Sequence, residues 1–366
     1  MGSRDKVGVA EIARALEGRI GSGFLHEGSY LPSVREVSRE LGCAPLTAHR
    51  AMKHLADRGL IVAEPRHGYR VTTAGAASRA QEVLVTLEDT TGYEGYLGDI
   101  HETQLAVLRR GALSRGWASA SLPYAGQPVE SLAAQLHEMG ATALVLQDIG
   151  ERFPAGLPAA LVGLRLPTVS LDVCCEAPGL DLVMRDEAHG AALAAEYLVG
   201  RGHRRIGWYG PLEGSSNGRR RFAGAVEALR GAGLMAEAGG WREIEDPTSV
   251  ASARAYLLEP DRPRAVLALW QTAAQALALA ARELGLKLGA DLDLVGWALE
   301  EHFDEKYARE CPELRESCAA VTWSMAEVGR TVLARIAERR REPDLPSARI
   351  MLPMRLREPG GGGERD

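Results

Sequence analysis

Residues 28–71, which decide the fold of the N-terminal part of this chain, have the sequence GSYLPSVREVSRELGCAPLTAHRAMKHLADRGLIVAEPRHGYRV. Ser33 followed by Glu36 has the spacing of a capping box and predicts the start of a helix. Gly42 predicts a tight turn. Pro45 is tolerated in the first turn of the helix that follows.

The second half of this segment predicts a helix followed by two short strands. In the helix that opens at Pro45, we expect one inward row, formed by Leu46, Ala51, Met52 and Leu55, and one outward row, formed by Thr47, His49, Arg50 and Lys53. Gly59 ends that helix. Residues 60–62 and 69–71 then alternate like two short strands. The pattern is helix, turn, helix and a two-stranded wing, which places one helix in the major groove of DNA.

The runs LPSVREVSRELG and LTAHRAMKHLADRGLI resemble the GntR-type winged helix-turn-helix, over roughly residues 9–73. The resemblance implies DNA binding, with the third helix in the major groove and the wing on phosphates or the minor groove. The contacts that it implies are Arg35, Thr47, His49, Arg50, Arg66, His67, Gly68 and Tyr69.

The chemistry of these side chains divides them into two groups. Arg35, Lys53 and Arg66 suit phosphates, which position the protein without reading sequence. Arg50 or His49 suits the edges of guanine bases. Pro45, His49 and Arg66 depart from the residues usual in the family, so we expect an operator unlike the family's common ones.

Charge and composition agree with a small DNA-binding head on a larger body. Residues 1–80 carry 12 Lys and Arg against 8 Asp and Glu, a net charge of +4, whereas the rest of the 366-residue chain carries −10. No apolar run reaches the ~20 residues that a membrane helix needs, and no secretory signal precedes the head. The five cysteines form no CxxC pair, which predicts free thiols in a reducing cytoplasm.

The body, residues 83–357, alternates apolar runs with helical stretches, and a small polar linker at 74–82 joins it to the head. Alternation of this kind predicts parallel sheets with helices on both faces. The number of predicted strands is too large for one sheet, so two similar lobes are expected. The predicted fold class is therefore α/β: a winged helix-turn-helix followed by two parallel, doubly wound sheets.

The runs LVGRGHRRIGWYG and RRRFAGAVEALRGAGL resemble the effector-binding body of LacI/GalR-type repressors, which has the periplasmic-binding-protein fold. The resemblance implies three crossings between lobes and a ligand cleft. It places the first lobe at about 83–184 and 323–341, and the second at about 185–318 and 347–357, with a last strand at 350–356. Residues 358–366, which have the sequence EPGGGGERD, are predicted to form a disordered tail.

Ligands of open α/β sheets bind at the carboxyl ends of the strands. In the LacI/GalR resemblance, Asp172 matches a first-lobe ligand acceptor, and Arg221 matches a second-lobe arginine that donates to ligand hydroxyls or carboxylates. Trp270 and Gln271 stand where the family commonly has Asn-Asp, and Trp323 lies at the second crossing. Trp270 and Trp323 are expected either to stack on the ligand or to pack in the core, and Gln271 is expected to contact the ligand. Glu88, Asp89 and Tyr93 are further residues within expected reach of a ligand.

The sequence thus predicts a ligand-responsive regulator: a homodimeric, cytoplasmic repressor of double-stranded operator DNA, released by a small ligand such as a sugar. No nucleophile, metal or phosphate-loop motif predicts an enzyme, a cofactor or a metal site. Some proteins with a GntR-type head carry an aminotransferase-like body, which contains a cofactor-binding lysine. Such a body is disfavoured here because only two lysines, Lys287 and Lys306, follow Lys53. The alternative is a DNA-binding protein whose body mainly oligomerises.

Overall fold

The computed structural model describes residues 8–21, 24–64, 67–72, 82–89, 95–149, 151–171, 177–211, 215–234, 241–244, 246–361 and 364–365. The α-helices are α1 Val9–Gly21, α2 Val34–Glu40, α3 Pro45–Asp57, α4 Gly95–Ser114, α5 Val129–Glu138, α6 Leu157–Val162, α7 Glu187–Gly200, α8 Ser216–Gly231, α9 Val250–Leu257, α10 Gln271–Glu283, α11 Glu313–Ser317 and α12 Met325–Arg341. The strands are β1 Ile61–Glu64, β2 Gly68–Val71, β3 Val83–Glu88, β4 Ala118–Pro123, β5 Ala143–Gln147, β6 Thr168–Leu171, β7 Asp181–Arg185, β8 Ile206–Gly210, β9 Trp241–Glu243, β10 Ala265–Ala268, β11 Asp293–Leu299, β12 Ala319–Trp323, β13 Arg349–Leu352, β14 Arg355–Arg357 and β15 Glu364–Arg365.

The head is the predicted winged helix-turn-helix: α1, α2 and α3 pack together, and β1 and β2 form an antiparallel hairpin. The predicted capping box is confirmed, because the Glu36 N–H donates to Oγ of Ser33 and the Ser33 N–H donates to Oε2 of Glu36. Pro45 lies in the first turn of α3, as predicted. One apolar cluster, which includes Ile12 and Met52, forms the hydrophobic core of the head.

The body contains the two predicted sheets. One has six strands in the order β13-β7-β6-β5-β3-β4, and the other has seven in the order β15-β14-β12-β11-β10-β8-β9. In the six-stranded sheet, the neighbouring strands β7, β6, β5, β3 and β4 are all parallel. In the seven-stranded sheet, the neighbouring strands β12, β11, β10, β8 and β9 are all parallel. Strands such as β5 and β11 are buried along their whole length, as expected when helices cover both faces.

The helices α7 and α8 approach each other closely beside the seven-stranded sheet. A Cβ atom on Gly224 of α8 would lie 2.1 Å from the carbonyl oxygen of Ala188 in α7, so only glycine allows this contact. The close approach places the first turn of α7 against the middle of α8, near the candidate residue Arg221.

The chain divides into two compact units. The first consists of Met1–Val183 and Ala326–Ile350, and the second of Met184–Met325 and Met351–Asp366. The head therefore belongs to the same unit as the six-stranded sheet. Among the described residues, no helix is both long and apolar enough to span a bilayer.

Within the first unit, α1 of the head packs against α4 and against β4, the edge strand of the sheet. A Cβ atom on Gly18 would lie only 3.1 Å from Cα of Ala118, and Leu113 of α4 belongs to the apolar cluster of the head. Nη1 of Arg14 donates to the Ser114 carbonyl over 3.3 Å. We call this contact the head joint.

The head joint also carries charge. Glu40, at the end of α2, forms a two-point pair with Arg19 at 2.6 and 3.0 Å. Nη1 of Arg109 on α4 lies 3.9 Å from the same carboxylate. Glu40 therefore lies between Arg19 of the head and Arg109 of α4, the helix beside the six-stranded sheet.

Two expectations about the C-terminal region are wrong. The predicted last strand at 350–356 is two strands: β13 adjoins β7 in the six-stranded sheet, and β14 pairs antiparallel with β12 in the seven-stranded sheet. The predicted disordered tail includes β15, which pairs with β14. The main chain of β14 offers an open edge there, and backbone pairing outweighs the flexible glycines. Most of the predicted linker, residues 74–81, lies outside the described residues.

Candidate DNA-binding and effector sites

The outward face of α3 has the polar row that the sequence predicts. His49, Arg50 and Lys53 are exposed, and Thr47 is half-buried. The opposite face is buried and consists of Ala48, Ala51, Met52 and Leu55. Because this apolar face anchors α3 to α1 and α2, the polar row is held in a fixed orientation on the surface.

One assignment on α3 is wrong. Leu46 was expected to face inward, but 59% of its surface is exposed. The buried positions 48, 51, 52 and 55 follow helical spacing, and position 46 falls outside that row. An exposed leucine on this face suits the methyl group of thymine. Helical spacing alone places Leu46 on the exposed face of α3 when Ala48 is taken as a core residue.

Other predicted DNA contacts lie on α2 and on the wing. Arg35 is exposed on α2, and His67 and Gly68 are exposed at the start of β2. Tyr69 is half-buried and packs against the apolar cluster of the head, so part of its ring is structural. Arg66 lies outside the described residues.

The wing is fixed by a carboxylate that accepts two hydrogen bonds. The Tyr30 hydroxyl donates to Glu64 over 2.6 Å, and Nε of Arg70 donates to the other oxygen over 2.5 Å. These hydrogen bonds hold the pKa of the Glu64 carboxyl below its usual value. The sequence analysis did not identify this group, which ties the wing to the segment before α2.

In the second unit, Arg221 is buried rather than free. Its Nε donates to Oε2 of Glu187 over 2.6 Å, its Nη1 donates to the Leu269 carbonyl, and its guanidinium lies 5.0 Å from the ring centre of Trp297. Only 4% of its surface is exposed. Arg221 lies in the second turn of α8 and holds this helix to the end of β10.

A second arginine forms a matching arrangement. Nη2 of Arg185, the last residue of β7, lies 3.1 Å from Oε1 of Glu187. Its guanidinium lies 4.5 Å from the ring centre of Trp323, the last residue of β12. We call Arg185, Glu187, Arg221, Trp297 and Trp323 the arginine cluster. Arg185 and Glu187 were missed, although the three charged residues 185–187, directly after the apolar run LVM, are a signal of a strand's carboxyl end.

The charges within the arginine cluster decide the state of Glu187. Burial alone would raise the pKa of its carboxyl, but the nearby charges of Arg185 and Arg221 outweigh burial and lower that pKa. Glu187 is therefore ionised, and it orients two guanidinium groups at once.

The remaining predicted effector residues lie beside this cluster or outside the residues that the structure describes. Trp270 precedes α10 and packs, half-buried, on an apolar cluster that includes Tyr209 and Ala273. Gln271 is buried, and its Oε1 has no hydrogen-bond donor among the described residues. Two of them, Asp172 and Tyr93, lie outside the described residues.

The first unit has its own polar group at the carboxyl ends of β3 and β5. Glu88 lies 2.6 Å from Nε2 of His101, and Gln147 donates to Oε1 of Gln104. Asp148 accepts from two backbone N–H groups at 2.7 and 2.8 Å, yet burial raises the pKa of its carboxyl. Open α/β sheets bind ligands at these ends, so the first unit also presents suitable side chains.

A winged helix-turn-helix joined to a two-sheet α/β body defines the chain as a DNA-binding regulator with a ligand-responsive body. Residues 9–71 match the bacterial regulatory proteins of the gntR family, and residues 195–358 match the periplasmic binding protein-like domain. The chain is therefore a ligand-responsive, DNA-binding transcriptional regulator, with a head similar to regulators of the gntR family and a body similar to regulators of the LacI family.

Known proteins agree with this assignment. The HTH-type transcriptional repressor PurR of Escherichia coli is 27% identical over 277 residues, which cover 72% of this chain and 70% of that protein. A regulatory protein of the LacI family from Chloroflexus aggregans is 26% identical, with a TM-score of 0.61 over 77% of this chain and 99% of that one. A LacI family regulator from Enterococcus faecium with bound ribose is 17% identical, with a TM-score of 0.59 over 76% of this chain and 97% of that one, and shares the fold.

Proposed function

We propose that this protein is a repressor that binds operator DNA through α3 and the β1-β2 wing and leaves it when a small polar ligand binds the body. The observation that carries the DNA-binding part is the exposed row of His49, Arg50 and Lys53 opposite the buried row of α3. The proposed contacts also include Arg35, Thr47, Arg66 and the wing residues His67, Gly68 and Tyr69.

The proposed effector is a carbohydrate or a carbohydrate derivative. Arg221 and Trp323 lie at the carboxyl-end side of the second unit's sheet, where guanidinium donors and aromatic faces suit a polyol. Gln271 adds a buried acceptor, and Trp270 an aromatic face. Asp172 is the proposed acceptor of the first unit. A relative of the same fold contains ribose, which supports this class of ligand.

The proposal includes a homodimer in the cytoplasm, with two heads that recognise an inverted repeat. Ligand binding would alter the position of the heads through the body. A coupling free energy of ~1–3 kcal/mol would change DNA affinity by roughly 5- to 150-fold. No catalytic step is part of this function.

The test begins with selection of bound sequences from a random DNA library by the full-length protein. An inverted repeat among the selected sequences is expected. The effector is then sought by thermal shift with sugars, sugar phosphates and sugar acids, since a ligand that binds only the folded state raises Tm. Fluorescence anisotropy with the selected DNA should show that a stabilising compound also releases the DNA.

Two results would overturn parts of this proposal. Failure to enrich any sequence would contradict specific DNA binding. Stable DNA binding that no compound in the panel alters would favour the alternative, in which the body mainly oligomerises.

A further inference from the structure

Leu46 lies at the centre of the outward face of α3. Its side chain is 59% exposed, whereas Met52 and Leu55 of the same helix are buried. With 3.6 residues per turn, position 46 falls between positions 49 and 50 around the helix axis and about 180° from position 55. The neighbours of Leu46 on the helix surface are therefore His49 and Arg50, and not the residues of the core.

The whole N-terminal end of α3 is apolar on its exposed surface. Ala44 is the N-cap residue, Pro45 is the first residue of the helix and Leu46 is the second, and all three are exposed. We call these three residues the apolar tip. Their side chains form no hydrogen bonds. Alanine offers no acceptor to the first N–H groups of a helix, so capping does not account for alanine at position 44.

The major groove of DNA contains one sizeable apolar partner for such a tip. The groove edges of guanine, adenine and cytosine present nitrogen and oxygen atoms, whereas thymine also presents its C5 methyl group. In a helix-turn-helix, the N-terminal residues of the recognition helix are the ones that reach the base edges. Leu46 cannot pair with a polar edge, so it gains free energy in the groove by burying its surface against that methyl group.

The side chains around Leu46 identify DNA as the partner of this face. His49, Arg50 and Lys53 share the outward face of α3 with Leu46 and are exposed. An apolar centre with basic side chains beside it matches a methyl group that lies between two phosphate backbones. A stable contact with a second protein chain would bury far more surface than the three residues of the apolar tip offer.

We propose that Leu46 is a specificity-determining residue that packs on a thymine methyl group, so that each half-site of the operator requires a thymine at one position. This inference rests on the proposed DNA-binding function and adds a base preference to it. The contact is apolar, in contrast to the hydrogen bonds with guanine that are expected of Arg50 or His49. Ala44 and Pro45 complete the apolar surface around the methyl group.

The experiment replaces thymine by deoxyuridine in the selected operator, one position at a time. Deoxyuridine lacks the C5 methyl group and keeps every hydrogen-bonding atom of the base. Fluorescence anisotropy with the full-length protein measures Kd for each substituted operator. At one position in each half-site, the replacement should weaken binding by the wild type roughly 3- to 5-fold, the effect of one buried methyl-sized group.

Leu46→Ala tests which side chain contacts the methyl group. This variant should bind the thymine and deoxyuridine operators almost equally, because the apolar partner of the methyl group has been removed. Leu46 is exposed, so the replacement should not change Tm. Leu258→Ala is the matched control: Leu258 is also 59% exposed, and it lies directly after α9 in the body. The control should keep the full sensitivity of the wild type to deoxyuridine.

The outcomes separate this inference from the proposed function. Failure to select any sequence would overturn the proposed DNA binding itself. A selected operator in which no thymine is sensitive to loss of its methyl group would overturn this inference alone. Equal sensitivity in the wild type and in Leu46→Ala would also overturn it. Sensitivity that disappears in Thr47→Ser instead would assign the methyl contact to Thr47. A changed assembly state of Leu46→Ala in sedimentation would show that the apolar tip contacts a second copy of the chain.

Discussion

Arg221 donates from Nε to Oε2 of Glu187 over 2.6 Å, and both side chains are almost completely buried. The residue that sequence analysis assigned to ligand binding is thus also a support of the fold. A substitution there changes the packing of the second unit as well as its response to a ligand.

Replacement of Arg221 by alanine is therefore expected to lower the stability of the second unit by about 3 kcal/mol, because Glu187 loses one of its two partners. The ligand response should be lost as well. Urea unfolding, followed by tryptophan fluorescence, measures the first effect. DNA binding by the intact head should persist below the unfolding transition, and an unchanged midpoint would contradict the structural role.

Arg50→Ala is expected to weaken binding to the selected operator by ~1–3 kcal/mol, the usual effect of losing a base-contacting arginine. The residue is exposed on α3, so the midpoint of thermal unfolding should not change. Fluorescence anisotropy across a salt series measures the effect. Arg254→Ala in α9 should bind as the wild type does, and equal affinities for both variants would remove Arg50 from the interface.

Gly18→Val is expected to loosen the head joint. Its Cβ would lie 3.1 Å from the backbone of Ala118, and overpacking of this kind costs ~1–3 kcal/mol. Amide hydrogen exchange should become faster in α1 and in β4. Gly200→Val is the control, because Gly200 lies in helix α7 and a Cβ there has no neighbour within 4 Å among the described residues. Unchanged exchange in Gly18→Val would show that the joint tolerates a side chain.

Asp181 gives the first unit a defined dependence on pH. Burial alone would raise the pKa of its carboxyl, but hydrogen bonds from Arg339, Arg335 and the Ala348 N–H outweigh burial and lower it. The stabilisation is therefore complete above the unfolded value of ~3.9 and is lost as the pH falls through the lower folded value. Asp181→Asn should cost about 3 kcal/mol at pH 7.

The difference in Tm between the wild type and Asp181→Asn should shrink as the pH is lowered below ~3.9, since the carboxyl of the unfolded wild type then becomes protonated and the unfolded state gains stability. Differential scanning calorimetry at pH 7 and pH 3.5 measures it. Asp344→Asn, at an exposed acid of the same unit, is the control. A difference that is constant with pH would contradict the role of the Asp181 charge.

Cys318 should resist alkylation in the folded protein. Burial, assisted by the charge of Asp293, raises the pKa of its thiol to about 12, so almost no thiolate exists at pH 8. Iodoacetamide labelling followed by peptide mass spectrometry should detect modification at Cys318 only after unfolding. Cys43, which is half-buried in the head, provides the comparison within the same sample. Rapid native labelling of Cys318 would show that the core opens.

Local patterns in the sequence were sufficient for the head. The Ser33 and Glu36 capping box and Pro45 act within a few residues of the chain, so their structure follows from spacing. Leu46 was misplaced because its apolar character was given more weight than helical spacing. The buried positions 48, 51, 52 and 55 form one row, and position 46 lies on the opposite face of α3.

The arginine cluster could not be predicted in the same way. Arg185, Arg221 and Trp297 are distant in sequence. They meet because Arg185 and Arg221 both reach the carboxylate of Glu187, and Arg221 also stacks on Trp297. Sequence analysis identified Arg221 and Trp323 through a family resemblance, but no local pattern shows that Glu187 joins them. The tail was mispredicted for a related reason, because the partner of β15 is an edge strand that no local pattern reveals.

The head joint has a consequence for how such regulators can be recombined. In this protein α1 packs on the edge strand β4, and Leu113 of the body belongs to the apolar core of the head. A chimera with a foreign head would expose that edge and leave Leu113 without its partners, unless the new first helix also carried a small residue at the position of Gly18. The head can therefore be exchanged without loss only together with the body surface that it covers.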